Sequence, residues 1–320
     1  MYQLTLGSTG IATSALCLGC MYFGTRVAEQ ASFMLLDQFL DAGGTFLDTS
    51  NNYAFWHAGA HGGESEALLG RWMQQRARRD QIVLATKVGA MPTIPGGGFA
   101  HMEGLSANAI IRAVEGSLTR LQTDYIDLYY AHVDDRTTPL DETLEAFDRL
   151  VRAGKVRALG CSNMVTWRIE QARGLSRTHQ WAAYSCVQQR HSYLRPKLGA
   201  DFGVQESASE ELLDYCRAHT DLRLLAYSPL LHGAYTRRDV PLQAEYAGAD
   251  TEARMQALTQ VASEVNATPN QVVLAWLLQG TPAVIPIIAA STSEQLQENM
   301  AAVQLQLHAK HLDLLTRAGA

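Results

Sequence analysis

Side chains that can move protons or bind a polar ligand stand at the ends of several short β-rich runs. They are Asp48, Lys87, His132, Ser162, Asn163, Gln188 and Ser228. Carboxylate, amine and imidazole groups are the usual participants in general acid–base chemistry. Lysine is the most informative of them, because an ammonium inside a protein costs free energy unless it is paired. Asp48 is the candidate partner of Lys87.

Each of these residues also has an ordinary structural explanation. A strand-end aspartate such as Asp48 is more often a helix N-cap, and a lone histidine such as His132 is more often a satisfied structural residue. Polar groups that converge from six successive strands onto one face are harder to explain in that way. Their convergence depends on the elements that carry them.

Eight β-rich runs alternate with helical stretches whose apolar residues recur every 3–4 positions. The runs are residues 15–20, 45–50, 82–88, 125–132, 156–163, 183–188, 222–228 and 284–289. Because no composition break separates the units, the pattern predicts an α/β protein with one (β/α)₈ TIM barrel domain over residues 1–320. An open doubly wound sheet is the alternative, but residues 18–24 lack its usual G-x-G-x-x-G fingerprint.

The connections predict where a site would lie. A short β-hairpin is expected at the N-terminus, before the first barrel strand, since residues 3–6 read as a strand and residues 7–10 as a turn. Three loops are longer than a barrel needs: residues 51–63, 89–104 and 230–250. All three follow strands, so we expect them on the C-terminal face, where barrel enzymes carry their chemistry.

Composition excludes several classes of protein. The chain has 320 residues, 47% of them apolar and 18% charged, which fits a large buried core rather than disorder. Its net charge of −6 argues against a nucleic-acid partner. Neither a membrane span nor a secretory signal is expected. Five scattered cysteines are too few for a disulfide scaffold, and Cys17 and Cys20 should face opposite sides of one strand. A reduced, cytoplasmic protein is the expectation.

Ordered motifs along the chain resemble the aldo-keto reductase superfamily, in the branch of the potassium-channel beta subunits and similar bacterial reductases. They are FLDT at 46–49 with Tyr53 after it, LATK at 84–87, DLYYAH at 127–132, GKVRALGCSN at 154–163, VQ at 187–188, AYSPL at 226–230 and EQLQEN at 294–299. The resemblance covers essentially the whole chain. It implies a (β/α)₈ barrel that binds NADP(H) or NAD(H) across its mouth and reduces an aldehyde or ketone.

The resemblance implies a catalytic tetrad of Asp48, Tyr53, Lys87 and His132. Tyr53 would give a proton to the carbonyl oxygen, and Lys87 would bring the tyrosine pKa down from about 10 toward the working pH. Asp48 would hold Lys87 in place. His132 would hydrogen-bond the substrate oxygen and orient it.

The resemblance also implies a set of cofactor contacts. Ser162, Asn163 and Gln188 would bind the nicotinamide carboxamide, and Tyr227 would stack on the ring. The remaining contacts, on the first strand, the strand-seven loop and the last barrel helix, fall on Gly19, Cys20, Met21, Asp48, Ser228, Pro229, Leu230, Gly233, Arg238, Ser291, Gln295, Glu298 and Asn299.

One position bears on the choice of dinucleotide. Many members of the superfamily carry Arg or Lys where this chain has Ser291, and that cation binds the 2′-phosphate of NADP. The beta-subunit branch, which binds NADP(H), has the serine. With Arg238 as a compensating cation, we expect NADP(H) as the preferred cofactor, with NAD(H) left open.

The substrate is predicted only by class. Phe23, Tyr53, Trp56 and His132 would line the pocket, and aromatic walls suit bulky cyclic or sugar-like carbonyl compounds. Trp56 acting only as a loop anchor is the alternative. Two other functions are alternatives: a nicotinamide-binding regulatory or scaffold subunit with little turnover, and a metal-dependent barrel hydrolase using Asp48 and His132. No H-x-H pair supports the second. The oligomeric state stays open.

Overall fold

The computed structural model describes residues 1–94 and 96–319. Strands β1 and β2 form an antiparallel hairpin, and β3 to β10 form a closed parallel barrel in the order β10-β3-β4-β5-β6-β7-β8-β9. The ten strands span Gln3–Thr5, Ala12–Ser14, Cys17–Gly19, Phe46–Asp48, Val83–Val88, Ile126–Ala131, Val156–Ser162, Tyr184–Arg190, Arg223–Tyr227 and Ile285–Ile288. The predicted (β/α)₈ barrel and its N-terminal hairpin are confirmed.

Helices surround the barrel. Within the described residues, α1 to α10 span Glu29–Asp41, Glu64–Arg76, Ala107–Leu121, Leu140–Arg152, Thr166–His179, Glu210–Ala218, Thr251–Glu264, Pro269–Gln279, Ser293–Ala301 and Ala309–Arg317. The alternation predicts eight helices. The two additional ones, α7 and α10, contact each other and α8, which lies between β9 and β10.

Two separate apolar clusters hold the fold together, one inside the barrel and one between the strands and the helices. Strands of a parallel barrel are buried on both faces, which is why β5, β6 and β8 are buried along their whole length. Cys17 belongs to the inner cluster and Cys20 to the outer one, so the two thiols face opposite sides of the first barrel strand, as expected.

The hairpin closes the N-terminal end of the barrel. Leu6 and Ile11, which flank its turn, belong to the inner cluster. Gly7 has a φ of +51°, and a Cβ there would stand 2.2 Å from the carbonyl oxygen of Asp221. Only glycine fits this close approach, so the turn is seated against the barrel. Ligands therefore reach the barrel from its other end.

Long connections surround that other end, as the sequence predicts. Residues 49–63 join β4 to α2, residues 89–106 join β5 to α3, and residues 228–250 join β9 to α7. A fourth, residues 191–209 between β8 and α6, is not among the three predicted loops, and Tyr193 and Leu194 within it are buried. Over the described part of the chain, none of the helices has the length and apolar character needed to cross a bilayer.

Candidate active site

The strand-end residues converge at the carboxyl end of the barrel. Asp48 ends β4, Lys87 lies one residue before the end of β5, and His132 directly follows β6. Ser162 ends β7 and Tyr227 ends β9. Because these strands are parallel neighbours, their ends meet at one rim. The convergence predicted from the sequence is therefore the arrangement in the fold.

A buried ion pair lies at the centre of this rim. Lys87 Nζ is 2.5 Å from Asp48 Oδ1 and 2.6 Å from Oδ2, and it also donates to the carbonyl oxygen of Thr49 at 2.9 Å. The side chain of Lys87 is 0% exposed and that of Asp48 is 1% exposed. The attraction between the two opposite charges thus offsets the free-energy cost of burying the ammonium.

Tyr53 reaches this pair from the loop after β4. Lys87 Nζ donates to Tyr53 Oη at 2.5 Å. An ammonium has donors and no acceptor, so the tyrosine oxygen must accept and its own proton is free to point elsewhere. The arrangement leaves the Tyr53 hydroxyl as a donor toward the barrel mouth.

Burial dominates the electrostatics of these three groups. It lowers the pKa of Lys87 and raises the pKa of Asp48, and the attraction between the two charges opposes both shifts. Burial, followed by the negative charge of Asp48, raises the pKa of Tyr53 well above its usual value. Burial therefore outweighs the lowering expected from Lys87, and the net pKa of Tyr53 does not approach neutrality. Tyr53 keeps its proton at neutral pH.

His132 faces Tyr53 across the mouth. The two rings lie edge to face with centroids 5.9 Å apart. Burial and the nearby charge of Lys87 hold the pKa of His132 well below its usual value, so the imidazole is neutral at physiological pH. Its Nδ1 is 3.1 Å from Ser50 Oγ, and the Ser50 hydroxyl donates to Asn52 Oδ1 at 2.7 Å.

Sequence reasoning missed Ser50 and Asn52. They lie in the run of polar residues that follows Asp48, between two residues that the motifs identify. Both are buried, although the loop around them is long and polar. Residues 49–52 are four consecutive polar residues that directly follow a buried strand. Because buried polar groups almost always have hydrogen-bond partners, this run could have identified Ser50 and Asn52 as part of the site.

Asn163 organises the β7 side of the rim. Its Nδ2 donates to the carbonyl oxygen of His132 at 2.9 Å and to Ser162 Oγ at 3.1 Å. Its Oδ1 accepts from the Tyr227 hydroxyl at 2.7 Å and from the backbone N–H of Glu206 at 3.1 Å. These bonds fix the half-buried Tyr227 ring at the mouth.

Gln188 connects this side to the ion pair. Its Nε2 donates to Asp48 Oδ1 at 3.2 Å and Oδ2 at 3.3 Å. The Ser162 hydroxyl donates to the backbone oxygen of Gln188 at 2.7 Å. Ser162, Gln188 and Asp48 are thus brought together as one polar wall.

The loop after β9 presents free backbone donors. Among the residues that the structure describes, the N–H groups of Ser228 and Leu230 donate to no protein acceptor. Ser228 has a φ of +53° and Gly233 a φ of +94°, and such left-handed positions turn successive N–H groups toward a common side. Pro229 accepts from Ser192 Oγ, which fixes the loop. Exposed backbone N–H groups of this kind suit the oxygens of a phosphate.

The residues expected at the adenosine end are partly engaged with each other. Gln295 Oε1 accepts from both the N–H and the hydroxyl of Ser291, at 2.8 and 3.0 Å. Glu298 Oε1 accepts from Thr268 Oγ1 at 2.6 Å, so this carboxylate ties α9 to the start of α8. Asn299 Nδ2 donates to the Ala289 oxygen at 3.2 Å.

Arg238 is exposed, in the loop after β9. It forms none of the ion pairs found among residues 1–94 and 96–319, whereas its neighbour Arg237 pairs with Asp239. A cation without a protein partner in this loop is available to an anionic ligand.

The first barrel strand contributes packing as well as position. A Cβ at Gly19 would lie 3.0 Å from the Ile287 side chain, so this glycine lets β3 approach β10. The backbone N–H of Cys20 donates to the backbone carbonyl oxygen of Asp48 at 2.8 Å, and Met21 is half-buried beside it. Phe23 is 1% exposed and packs in the outer cluster between barrel and helices. The expectation that Phe23 lines the pocket is thus replaced by a packing role.

Three aromatic rings join two loops at the mouth, and we call Phe55, Trp56 and Phe99 the mouth aromatics. Phe55 lies edge to face with Trp56 at 5.0 Å and with Phe99 at 5.2 Å. Trp56 is 45% exposed and Phe99 is 43% exposed. The cluster both ties the loops together and leaves apolar surface uncovered beside the site.

Known proteins share this sequence and this architecture. The model of the Aldo/keto reductase family matches residues 15–320. The uncharacterized oxidoreductase YrpG of Bacillus subtilis strain 168 is 35% identical over 321 residues, which cover 97% of this chain and 93% of YrpG. Norsolorinic acid reductase stcV of Emericella nidulans is 33% identical over 319 residues, covering 93% of this chain and 76% of that protein.

A solved structure also matches this chain over nearly its whole length. The crystal structure of the thermostable aldo-keto reductase Tm1743, in complex with the inhibitor epalrestat, matches with a TM-score of 0.76 and 28% identity. The match covers 98% of each chain. The resemblance read from the motifs is therefore confirmed, and the chain belongs to the aldo/keto reductase family.

Proposed function

We propose that this protein is an NADP(H)-dependent oxidoreductase that reduces an aldehyde or ketone to an alcohol. The observation that carries the proposal is the contact of one buried ammonium, Lys87, with both Asp48 and the Tyr53 hydroxyl. A hydroxyl held in this way, at the open end of a barrel, is a positioned general acid. Asp48, Tyr53, Lys87 and His132 form the proposed catalytic set.

The donors at the rim fit a nicotinamide dinucleotide. The free N–H groups of Ser228 and Leu230 suit its pyrophosphate, and the clamped ring of Tyr227 offers a flat face for the nicotinamide. Ser162, Asn163 and Gln188 would hold the carboxamide. Because the amide of Asn163 already makes four protein hydrogen bonds, a direct bond to the cofactor requires it to exchange one of them. When bound, the reduced cofactor supplies a hydride to the carbonyl carbon.

The remaining contacts extend the same groove. Gly19 and Met21 would line it at the end of β3, and Cys20, whose thiol is buried in the outer cluster, would contribute only by holding that backbone in place, while Pro229 and Gly233 shape the loop after β9. Ser291, Gln295 and Asn299 would serve the adenosine end, where Glu298 ties α9 to the start of α8. Arg238 is the proposed partner of a 2′-phosphate, which would favour NADP(H) over NAD(H).

The chain's own residues would handle the proton. Tyr53, which stays protonated because burial raises its pKa, donates its proton to the carbonyl oxygen as the carbon accepts the hydride. Lys87 then stands 2.5 Å from the tyrosinate oxygen and stabilises its charge. Asp48 keeps Lys87 in position. Water must return the proton to Tyr53 before the next turnover.

The substrate proposed here is a bulky cyclic carbonyl compound. The mouth aromatics offer uncovered apolar surface next to Tyr53 and His132, and one relative is named for the reduction of norsolorinic acid. We also place the protein in the cytoplasm, because all five thiols are free and buried, as a reducing compartment permits.

Cofactor oxidation across a panel of carbonyls tests this function. NADPH and NADH consumption should be followed in parallel with small aldehydes, simple ketones and polycyclic ketones. We expect turnover with at least one class and a higher kcat/KM with NADPH. Binding of NADPH without turnover of any carbonyl or alcohol in the panel would contradict the proposal and favour a regulatory subunit.

A further inference from the structure

A cavity outside the barrel mouth has no role in the proposed reductase function. It has a volume of about 430 Å³ and lies on the flank of the barrel, between residues 191–209 and helices α6, α8 and α10. Pockets for small molecules typically measure roughly 300–1,000 Å³, so this cavity has room for a small ligand. Among the described residues that line it, none belongs to the catalytic set, the cofactor contacts or the mouth aromatics.

Aromatic side chains form one wall of this cavity. The ring of Trp276, which is half-buried on α8, lies edge to face with the ring of Tyr193 at a centroid distance of 5.4 Å. The ring of His191 lies 6.0 Å from that of Trp276. Leucines of α6, α8 and α10 add apolar surface to the lining. A flat ring would find stacking or edge-to-face partners here.

The buried charges at the cavity are positive. Arg190 is 4% exposed and Arg254 is 1% exposed, and both line it. Arg190 donates to Tyr246 Oη and to two glutamine oxygens, all of them neutral acceptors. Arg254 donates to backbone oxygens, and Asp250, the carboxylate with which it pairs, stands 4.0 Å away. Because a buried cation is costly unless an anion compensates it, this part of the cavity favours an anionic ligand.

The carboxylates in the described lining lie at its solvent-exposed edge. Glu210 is exposed and stands 3.8 Å from Arg195. Asp313 is also exposed, and it pairs with Arg317 at 2.7 Å. Solvent and these arginines screen both negative charges. The interior therefore keeps the positive potential of its two buried arginines.

Two hydroxyl groups of the lining have no partner. Tyr193 Oη and Ser207 Oγ are both buried, and neither forms a hydrogen bond within the part of the chain that the structure describes. Buried polar atoms are nearly always satisfied, so these hydroxyls beside a cavity fit an occupant that accepts hydrogen bonds. A guanidinium has five N–H donors, and Arg254 uses three of them in its bonds to backbone oxygens, which leaves two.

We propose that this cavity is a second ligand site, separate from the barrel mouth, and that it binds small aromatic carboxylates. The ring packs against Trp276, and the carboxylate accepts hydrogen bonds from the Tyr193 hydroxyl and from free guanidinium N–H groups. A neutral aromatic compound matches only the aromatic wall, and an inorganic anion matches only the donors. The inference is independent of the proposed reductase function, because the cavity shares none of the residues assigned to that function.

Indole NMR signals test where such a ligand binds. Of the five tryptophans, Trp276 lines the cavity and Trp56 lies at the barrel mouth. In protein with ¹⁵N-labelled tryptophan, the variants Trp276→Phe and Trp56→Phe assign these two signals. Titration with sodium 2-naphthoate should shift the Trp276 signal saturably. Absence of a saturable shift at Trp276 would overturn the inference, and a shift of Trp56 alone would overturn it by placing the ligand in the barrel mouth.

A single hydroxyl tests the contact. Tyr193→Phe leaves no protein group unpaired, because this hydroxyl has no partner among the described residues. A hydrogen bond to a charged group corresponds to roughly a 10- to 100-fold change in affinity, so the Kd for 2-naphthoate, followed at Trp276, should rise by that factor. Tyr184→Phe is the matched control, since its hydroxyl is also buried and unpartnered but does not line the cavity.

The Kd of the control should stay at the wild-type value, and an equally unchanged Kd in Tyr193→Phe would contradict the proposed contact. Thermal melting shows whether Tyr193→Phe is folded, and Ser207→Ala removes the other free hydroxyl if it is not.

The neutral amide of the same ligand tests the charge. 2-Naphthamide keeps both rings and lacks the negative charge, and hydrogen bonds to an ionised group are roughly twice as strong as neutral ones. We therefore expect 2-naphthamide to bind at least about 10-fold more weakly than 2-naphthoate at the Trp276 signal. Equal Kd values for the two compounds would overturn the assignment of the site to carboxylates.

Discussion

Lys87 Nζ lies 2.5 Å from Tyr53 Oη and simultaneously contacts both carboxylate oxygens of Asp48. The ammonium occupies an acceptor site on the tyrosine oxygen, and therefore turns the hydroxyl proton away from itself. Position, rather than a lowered tyrosine pKa, is what this arrangement provides before ligands bind.

Removing the ammonium should cost stability as well as activity. Lys87→Met leaves the carboxylate of Asp48 buried without its partner, and a broken buried pair costs about 3–5 kcal/mol. Urea unfolding should show that loss, and the double variant Lys87→Met/Asp48→Asn should recover part of it. Lys155→Met is the matched control, because its pair with Glu115 is largely exposed and should contribute about 1 kcal/mol or less. Equal losses in the two single variants would contradict the account of the ion pair.

Arg238 should discriminate between the dinucleotides. If it binds the 2′-phosphate, Arg238→Ala removes a charge-assisted hydrogen bond and weakens NADPH binding by roughly 1.5–3 kcal/mol. The Kd for NADH should hardly change. Arg237→Ala is the control, since that guanidinium already pairs with Asp239. Equal weakening of both cofactors in Arg238→Ala, measured by fluorescence titration, would remove Arg238 from the phosphate site.

Replacing Trp56 should weaken the binding of large substrates only. Its ring is 45% exposed among the mouth aromatics, so Trp56→Ala should raise KM for polycyclic ketones while small aldehydes turn over almost as before. Trp181→Ala, at the opposite end of the barrel, provides a control for general loss of packing. A lower Tm together with losses for all substrates would instead identify Trp56 as a loop anchor, since it packs on Phe55 and lies 6.2 Å from Phe99.

His191 should make stability depend on pH. Burial, followed by the charge of Arg254, lowers its pKa to about 4, below an ordinary value near 6.5. Between those values the unfolded chain binds a proton that the folded protein does not. The free energy of unfolding should therefore fall as the pH decreases from about 6.5 to 4. Urea unfolding at several pH values should show a shallower fall for His191→Phe, by up to about 1.4 kcal/mol per pH unit. Parallel curves for the two proteins would contradict this assignment.

The sequence predicts the barrel and its rim because both follow from patterns along the chain. Parallel strands and polar strand ends recur in register, so Asp48, Lys87 and His132 could be placed together before any coordinates. The direction of the shift in the Tyr53 pKa could not be predicted from the sequence, because it depends on how deeply a loop residue is buried. Ser50 and Asn52 became visible only through the loop's conformation.

Side chains with packing roles were also difficult to predict from the sequence. Phe23 looked like a pocket residue from its place after the first strand, but its ring lies in the outer core. Helix α7 carries Arg254, which is 1% exposed and donates to the backbone oxygens of Tyr193 and Ala318. A buried arginine interrupts the apolar period, so a helix of this kind is poorly described by its hydrophobic pattern.

Tyr53→Phe tests the central claim most directly, because it removes only the hydroxyl that Lys87 orients. With saturating NADPH and a simple aldehyde, kcat should fall by roughly 10²–10⁴. The Kd for NADPH, measured by fluorescence titration, should stay nearly unchanged, because the free N–H groups of Ser228 and Leu230 and the ring of Tyr227 remain. A Tyr53→Phe variant that reduces the aldehyde at close to the wild-type kcat would contradict the assignment of Tyr53 as the proton donor.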